Sequence, residues 1–508
     1  MAYVLGIDLG TSSTKTLLLS EDGRTVAKAT ADYPLSTPQP NWVEQDPAAW
    51  WEAVCSTVRQ VLAAWSGNPR DIAGVGLSGQ MNGAVFLNAQ GRPLRPAILW
   101  LDHRSVAECE WAQEQAGEAI RAAALNPPQP VYSAAKLLWV QRHEPEVWQQ
   151  ARVFLEPKDY VNFLLTGRLG TELTDASATL LLDLRTRQWA VEVWEPLGIR
   201  PDLLPELTEA TAVIGEVTPT AAAATGLAAS TPVVSGGADM ACMAVGSGVV
   251  SPGVVSVTIG TAGHVTTCAP FVSEAGYNKI YPMCHAVPGQ YFWLGCVFSG
   301  GLSLQWFRDA LGQLEVTAAA QEGGDPYDLL CALAEQAPCG SEGLFFLPWL
   351  AGSATPHPDG NARGCYLGLT LRHRKPELVR AILEGVAYNL RDSLEVFQEL
   401  GLELPEVRVG EGGAKSPLWR QILADVFGRD VRLLRTEDAS AIGAALIAGV
   451  GVGVWPDFAT ACAATVQLGE TTKSNPAVAA QYERYYQVYR RFYDDLRETF
   501  RALARLSE

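Results

Sequence analysis

The chain has 508 residues, enough for two to four domains with well-buried cores at roughly 100–200 residues per domain. Apolar residues make up 48% and charged residues 18%, a globular composition that excludes an intrinsically disordered chain. The net charge of −17 argues against a sequence-independent nucleic-acid binder, which needs a basic surface. The negative charge does not exclude a phosphate-bearing small molecule as a ligand, because backbone N–H groups and metal ions can hold its phosphates.

Sequence features that are absent exclude further classes of protein. No stretch reaches the roughly 18 consecutive apolar residues that a membrane-spanning helix needs, and we interpret the N-terminus, which carries Asp8, as a strand rather than a signal peptide. The ten cysteines contain no Cys-x-x-Cys pair and the six histidines show no ligand spacing, so neither disulfides nor a transition-metal site is expected. These observations predict a cytoplasmic protein without membrane or nucleic-acid partners.

Strand-like and helix-like segments alternate along the chain, which predicts an α/β fold. Residues 3–10 form an apolar strand that runs into a glycine turn, and the apolar runs around Asp22-Gly23 predict a hairpin. Residues 378–394 carry apolar side chains at helical spacing. Asn475-Pro476 begins one last helix, whose aromatic stripe we assign to packing.

The polar tip after the first strand is the first candidate site. Asp8 precedes a turn of small residues, which are Gly10, Thr11, Ser12 and Ser13. The N–H groups of such a turn can face phosphate oxygens while the carboxylate reaches Mg²⁺ directly or through water. The tip is therefore a candidate site for a metal-bound polyphosphate, with a simple hairpin turn as the alternative.

Asp239 is the second candidate, because it is the only formally charged residue between Glu216 and Glu274. It follows an apolar strand and two glycines, and a lone carboxylate there is costly unless it is hydrogen-bonded or used. Desolvation would raise its pKa towards the range of a general base. A helix N-cap aspartate is the alternative, and the two roles are compatible.

Glycine-rich segments supply the remaining signals. Residues 410–416 form a glycine turn between a strand at 407–409 and a helix at 417–425, a layout that suits a nucleotide against bare backbone, although a tight turn is the alternative. Residues 257–262 repeat the pattern of residues 6–12, which predicts two related halves, 1–248 and 249–508. The chain has no P-loop, and the G-x-G-x-x-G of residues 74–79 leads into a strand, so it is not a dinucleotide fingerprint.

Together these pieces resemble the FGGY carbohydrate kinases, within the actin/hexokinase-like ATPase superfamily. The segments that carry the resemblance are residues 364–384, 132–143, 42–47, 174–177 and 300–302. Residues 79–85, 97–104, 157–160 and 355–357 are most similar to the branch of the family that acts on D-xylulose. Two departures concern the sugar: Asn82 stands where that branch has a histidine, and Ser353 and Ala354 stand where it has charged residues.

The resemblance implies an α/β fold of two actin/hexokinase-like (ribonuclease H-like) domains that flank a catalytic cleft. It implies Asp239 as the general base on the terminal hydroxyl of the sugar, and Asp8 as the residue that holds Mg²⁺ on ATP. The residues implied for ATP are Asp8, Gly10, Thr11, Ser12, Gly260, Thr261, Gly412 and Gly413. Those implied for the sugar are Met81, Asn82, Asp239, Trp100, Asp102 and Arg104, and for the last three a structural cluster is the alternative.

The activity implied is in-line phosphoryl transfer from ATP to D-xylulose, which makes D-xylulose 5-phosphate, in a protein that forms homodimers in much of the family. Because of Asn82, a kinase for another ketopentose, a tetrulose or a polyol stays open. A non-catalytic sugar- or nucleotide-binding regulator and an actin-like filament protein are further alternatives. Asp8, Asp239 and the sugar-side segments argue against both.

Overall fold

The computed structural model describes residues 1–506 and shows two halves, each built around one mixed β-sheet. The strands of the first half are β1 (Tyr3–Leu9), β2 (Ser13–Ser20), β3 (Thr25–Asp32), β4 (Glu44–Gln45), β5 (Ile72–Gly79), β6 (Val85–Leu87), β7 (Ala97–Ile98), β8 (Val153–Leu155), β9 (Thr171–Glu172), β10 (Leu182–Asp183), β11 (Gln188–Trp189), β12 (Leu207–Thr208), β13 (Val213–Glu216) and β14 (Pro232–Ala238). Its helices are α1 (Pro47–Trp65), α2 (Val106–Ala124), α3 (Ser133–His143), α4 (Pro145–Gln150), α5 (Pro157–Thr166), α6 (Leu173–Ser177), α7 (Val191–Trp194), α8 (Pro219–Thr225) and α9 (Asp239–Gly246).

The second half follows the same alternation. Its strands are β15 (Val254–Ile259), β16 (Gly263–Ala269), β17 (Tyr281–Cys284), β18 (Tyr291–Val297), β19 (Phe345–Leu347), β20 (Cys365–Leu367), β21 (Glu406–Gly410), β22 (Val431–Leu434) and β23 (Leu468–Thr472). Its helices are α10 (Gly301–Leu311), α11 (Gln313–Glu322), α12 (Pro326–Glu335), α13 (Lys375–Glu399), α14 (Pro417–Phe427), α15 (Ala439–Gly451), α16 (Phe458–Thr465), α17 (Pro476–Tyr489) and α18 (Phe492–Arg505). Short 3₁₀ segments lie at Pro69–Asp71, Pro201–Leu203, Glu274–Gly276, Ser341–Gly343 and Gly413–Lys415.

The same strand arrangement lies at the centre of both sheets. The first sheet has the order β13-β14-β5-β1-β2-β3, and β1 is antiparallel to β2 and parallel to β5. The second has the order β17-β18-β16-β15-β21-β22-β23, and β15 is antiparallel to β16 and parallel to β21. β1 and β15 are therefore equivalent strands, which confirms the α/β fold and the repeated pattern predicted for residues 6–12 and 257–262.

Local predictions agree with the structure except at the C-terminal end. The hairpin at Asp22-Gly23 joins β2 to β3, and α13 contains the predicted residues 378–394. Asn475 caps α17 by accepting the N–H of Ala477 at 3.1 Å. The prediction of one last helix is wrong, because the chain turns between α17 and α18, where Phe492 packs edge-on to Phe345 at 5.1 Å. The turn brings aromatic residues of both helices onto one core, which a single straight helix would not do.

Helix α15 of the second half packs onto the first sheet. Leu446 and Ile447 share a buried cluster with Val4 and Leu19 of that sheet. On its other side α15 crosses α9 closely, since a Cβ at Gly443 would lie 1.8 Å from the carbonyl oxygen of Cys242. Only glycine fits such a crossing. The two central helices thus join the halves by direct backbone contact.

Two expected absences concern the described residues. All ten cysteines are free thiols. No helix within residues 1–506 combines the length and the apolar character that crossing a membrane would take.

Candidate active site

The loop between β1 and β2 leaves two backbone N–H groups without a protein partner among the described residues. The carbonyl of Gly10 accepts the hydroxyl of Tyr33 at 2.5 Å, and the carbonyl of Thr11 accepts Nε2 of Gln45 at 2.7 Å. The backbone N–H groups of Thr11 and Ser12 donate to no protein atom within residues 1–506. The carbonyl groups of the loop are thus hydrogen-bonded to side chains while two of its N–H groups have no protein partner, an arrangement that suits an anion.

The equivalent loop of the second half, between β15 and β16, has the same arrangement. The N–H of Gly301 donates to the carbonyl of Gly260 at 2.8 Å, and the N–H of Leu302 donates to that of Thr261 at 3.0 Å. In the described part of the chain, the N–H groups of Thr261 and Ala262 donate to no protein atom. Sequence reasoning identified Gly260 and Thr261 but missed Ala262, which the repeat itself could have indicated as the counterpart of Ser12.

Asp8 and Asp239 lie at the same edge of the first sheet. Asp8 is near the end of β1 and accepts Ser78 Oγ of β5 at 2.8 Å, while Asp239 follows directly after β14, the other neighbour of β5. Burial raises the pKa of Asp8, against the lowering effects of Ser78 and Lys15. Burial and the charge of Asp8 together raise the pKa of Asp239 to about 7, against the lowering effect of the Met240 N–H. The two carboxyl groups are therefore close enough to interact electrostatically, and both are desolvated.

The carboxyl of Asp239 is not an N-cap. Ala238 occupies the N-cap position of α9, and Asp239 is the first helical residue, whose Oδ1 accepts the N–H of Met240 at 2.7 Å. One carboxylate oxygen is thus held by the first turn of the helix. The other accepts no hydrogen bond among the described residues.

A cavity of about 1470 Å³ between the halves carries contributions from both. Asp8 lines it from the first half, and Gly412 and Ser440 line it from the second. Gly413 does not line it, because a Cβ there would lie 2.6 Å from Cγ2 of Ile259. The structure thus separates the two predicted glycines, one exposed in the cavity and one packed on β15.

Two charged residues that sequence reasoning missed also line this cavity. Lys15 stands opposite Asp8 in the β1–β2 register, and its Nζ lies 3.0 Å from Oδ1 of Asp438. Glu411 has a left-handed backbone, with φ of 65°, and burial raises its pKa while the charge of Lys15 lowers it. Counting residues outward from the turn between β1 and β2 would have paired Lys15 with Asp8.

The predicted sugar residues Met81 and Asn82 are buried beside the second half. Met81 shares a small apolar cluster with Ala238 and with Phe292 and Ala354 of the second half. Asn82 has φ of 64°, and its Oδ1 has no hydrogen-bond partner within residues 1–506. An unpaired buried amide oxygen of this kind is costly unless a ligand or water satisfies it.

Trp100 lies next to the first loop. Its side chain remains 38% exposed, and its indole Nε1 donates to Oγ1 of Thr11 at 2.9 Å. The residue therefore connects the candidate sugar side with the candidate phosphate side.

Asp102 and Arg104 instead belong to a buried ionic network. Asp102 is completely buried, and it accepts the N–H of Val43 at 2.6 Å and Nη2 of Arg104 at 2.7 Å. Arg104 also pairs with Glu44 at 2.7 Å and lies 3.8 Å over the ring of Trp42. These contacts favour the structural alternative over a contact with sugar, although Nη1 of Arg104 has no hydrogen-bond partner within residues 1–506.

Comparisons with known proteins agree along the whole chain. A model of the N-terminal domain of the FGGY family of carbohydrate kinases matches residues 3–246, and a model of its C-terminal domain matches residues 255–452. The xylulose kinase of Bacillus subtilis (strain 168) is 34% identical over 505 residues, which cover 99% of each chain. The gluconokinase of the same organism is 31% identical over 484 residues, 94% of this chain and 92% of the other. The solved xylulose kinase from Rhodospirillum rubrum covers 98% of this chain and 100% of its own, with a TM-score of 0.91 and 32% identity.

Proposed function

Because the chain belongs to the FGGY family of carbohydrate kinases and is an ATP-dependent sugar kinase, we propose that its sugar is D-xylulose and its product D-xylulose 5-phosphate. Residues 1–248 would form the sugar-binding domain that carries the base, and residues 249–508 the nucleotide-binding domain. The single observation that carries the proposal is the desolvated Asp239 beside Asp8, and Asp8 in turn lines a cleft between the halves.

Asp239 is the proposed general base. As the terminal hydroxyl oxygen of the sugar bonds to the γ-phosphorus and the bond to the leaving ADP breaks, the hydroxyl proton passes to the free oxygen of Asp239. A pKa of about 7 suits this role, because about half of the carboxyl is ionised at neutral pH and the carboxylate is a stronger base than one with an ordinary pKa. A carboxylate at its ordinary pKa would accept the proton less readily.

The two loops are the proposed γ-phosphate cradle. The free N–H groups of Thr11 and Ser12 from one half, and of Thr261 and Ala262 from the other, can hold phosphate oxygens from opposite sides. Lys15 adds a positive charge on β2, the strand that follows the first loop. Phosphoryl transfer depends mainly on such positioning and charge stabilisation.

Asp8 is the residue that would hold Mg²⁺. Only Oδ1 of Asp8 accepts a hydrogen bond among the described residues, and the side chain lines the cavity, so its second oxygen can face a cation. No group of three or more metal-ligating side chains occurs within residues 1–506. That fits Mg²⁺, which needs one or two carboxylates because phosphate oxygens and water supply the rest. When bound, the ion supplies charge neutralisation on the phosphates.

The sugar side favours a neutral substrate over gluconate. The proposed sugar contacts Met81, Asn82 and Trp100 carry no positive charge, and Asp239 is an acid. The carboxylate of gluconate would meet no cation among these residues to offset its loss of hydration. A ketose offers hydroxyl and carbonyl groups that the unpaired Oδ1 of Asn82 and its amide can recognise.

The test is ADP release with Mg·ATP across D-xylulose, D-ribulose, L-ribulose, L-xylulose, glycerol, gluconate and a no-sugar control. We expect the highest kcat/KM with D-xylulose. Preference for gluconate would contradict the neutral-sugar argument. Preference for another neutral sugar would keep the mechanism and implicate Asn82, and N82H should then move the preference towards D-xylulose. Light scattering on the same sample would test for the homodimer that the family resemblance implies.

A further inference from the structure

The backbone just before Asp239 leaves the regular ladder between β14 and β5. The register of the pair shifts between Val234 and Gly237, and the N–H groups of Ser235 and Gly236 turn to carbonyls outside β5, at 2.9 and 3.0 Å. Gly236 has φ of 81°, and a Cβ there would lie 2.0 Å from the carbonyl oxygen of Leu77. We call residues 235–238 the bulge. Bulges next to active sites re-aim the side chains that follow them.

Buried side chains of one neighbouring segment hold the bulge at both ends. At its start, the carbonyl of Ser235 accepts Nδ2 of Asn162 at 2.9 Å and lies 3.4 Å from Nζ of Lys158. At its end, the N–H of Ala238 donates to Oγ1 of Thr174 at 2.8 Å. Gly236 and Gly237 between these points have no side chain to pack, so the anchors determine where the bulge lies.

Glu172 determines the direction of the Thr174 hydroxyl. Oγ1 of Thr174 donates its proton to Oε1 of Glu172 at 2.7 Å, while Oε2 of Glu172 accepts the N–H of Thr174 at 2.6 Å. Both residues are completely buried, and Nζ of Lys158 lies 3.6 Å from Oε1 of Glu172. With the proton committed to the carboxylate, a lone pair of Oγ1 must face the N–H of Ala238.

We propose that Thr174, oriented by Glu172, is a positioning residue that fixes the bulge and so aims the carboxylate of Asp239 at the sugar hydroxyl. This inference rests on the proposed role of Asp239 as the base. A base must lie within hydrogen-bond reach of its proton, and a displacement of about 1 Å at the reacting centre can cost about 100-fold in rate. Thr174 touches neither substrate, so its effect is on the position of Asp239 alone.

The test compares T174V, T174S and the matched control T225V. Valine keeps the size of threonine but cannot accept the N–H of Ala238, whereas serine can. Thr225 is also completely buried, and its Oγ1 donates to the carbonyl of Ala221 at 2.7 Å and accepts the N–H of Leu227 at 3.2 Å, at the end of α8. T225V therefore loses a similar pair of hydrogen bonds away from Asp239.

The expected result is a fall in kcat of about 10–100-fold in T174V, with the KM for ATP within about twofold of the parent. T174S should stay within about threefold, and T225V should keep the parent kcat although urea unfolds it earlier. A parent-like kcat in T174V, or an equal fall in T225V, would overturn the proposal.

Two further variants keep the outcome decisive. If T174V lacks a cooperative unfolding transition, N162L takes its place, because it releases the other end of the bulge at Ser235. A fall in its kcat supports the anchor and a parent-like kcat overturns it. D239N separates the two proposals: if it is inactive while T174V is parent-like, only the anchor fails, whereas an active D239N removes the proposed base itself.

Discussion

Replacing Asp239 by asparagine is expected to remove activity and to stabilise the fold at the same time. Asparagine keeps an oxygen that can accept the N–H of Met240, as Oδ1 of Asp239 does at 2.7 Å. It cannot take up a proton from the sugar hydroxyl. We therefore expect kcat to fall by about 10²–10⁴-fold, the range for loss of a general base.

The stability gain follows from the raised pKa of Asp239, about 7 in the folded chain against an ordinary value of 3.8. Because the folded state binds this proton more tightly than the unfolded state, the ionised carboxyl destabilises the fold as pH rises. The penalty is absent below pH 3.8, grows by about 1.4 kcal/mol per pH unit, and reaches about 4 kcal/mol above pH 7. D239N has no such group and should escape the whole penalty.

Urea unfolding of the parent and D239N at pH 5, 6, 7 and 8 measures this difference. The excess unfolding free energy of D239N should widen from pH 5 to 7 and then stay constant. The kcat/KM of the parent should fall about tenfold per pH unit below 7, as the base becomes protonated. The residual kcat/KM of D239N should not show this fall below pH 7.

D392N is the matched control. Burial also raises the pKa of Asp392 to about 7, and its carboxyl accepts the hydroxyl of Tyr486 at 2.7 Å, in the second half away from Asp239. D392N should show a similar pH-dependent gain in stability with the kcat of the parent. A D239N protein that is no more stable than the parent at pH 8, or that keeps its kcat, would refute the reasoning.

The remaining predictions concern the joint between the halves and the ionic network. G443A places a Cβ 1.8 Å from the carbonyl oxygen of Cys242 and should lower the unfolding free energy by about 1–3 kcal/mol or more. The control G324A, where a Cβ would have no atom within 4 Å, should leave the unfolding free energy unchanged. Equal urea midpoints for the two variants would contradict the close crossing of the helices. D102N removes one of the two carboxylates that pair with the buried Arg104 at 2.7 Å, and it should cost about 3–5 kcal/mol in urea unfolding. A large rise in the KM for sugar in D102N, without a fall in its unfolding free energy, would instead indicate that Asp102 contacts the sugar.

Several features of the site could be predicted from short stretches of sequence. The small residues 10–12 and 260–262 predicted the loop after β1 and its repeat after β15, in which four backbone N–H groups have no protein partner among the described residues. Asp239 stood out because no other formal charge lies between Glu216 and Glu274. These signals are local, since each depends on the residue type and on its immediate neighbours.

Other features depend on contacts between residues far apart in the chain. Asp102 and Arg104 matched a sugar-side motif, yet the structure pairs Arg104 with Glu44 in a buried network. Lys15 meets Asp438, 423 positions later, and Thr174 meets Ala238, 64 positions later.

The sequence by itself therefore determined the family and the repeated halves, and it identified the two loops and the two acids as candidates. Those features are set by backbone chemistry that acts between neighbouring residues. Only the tertiary structure decided which charged side chains reach the cleft and which are held in the core, because a polar group's role depends on its burial and on the partner that folding brings to it.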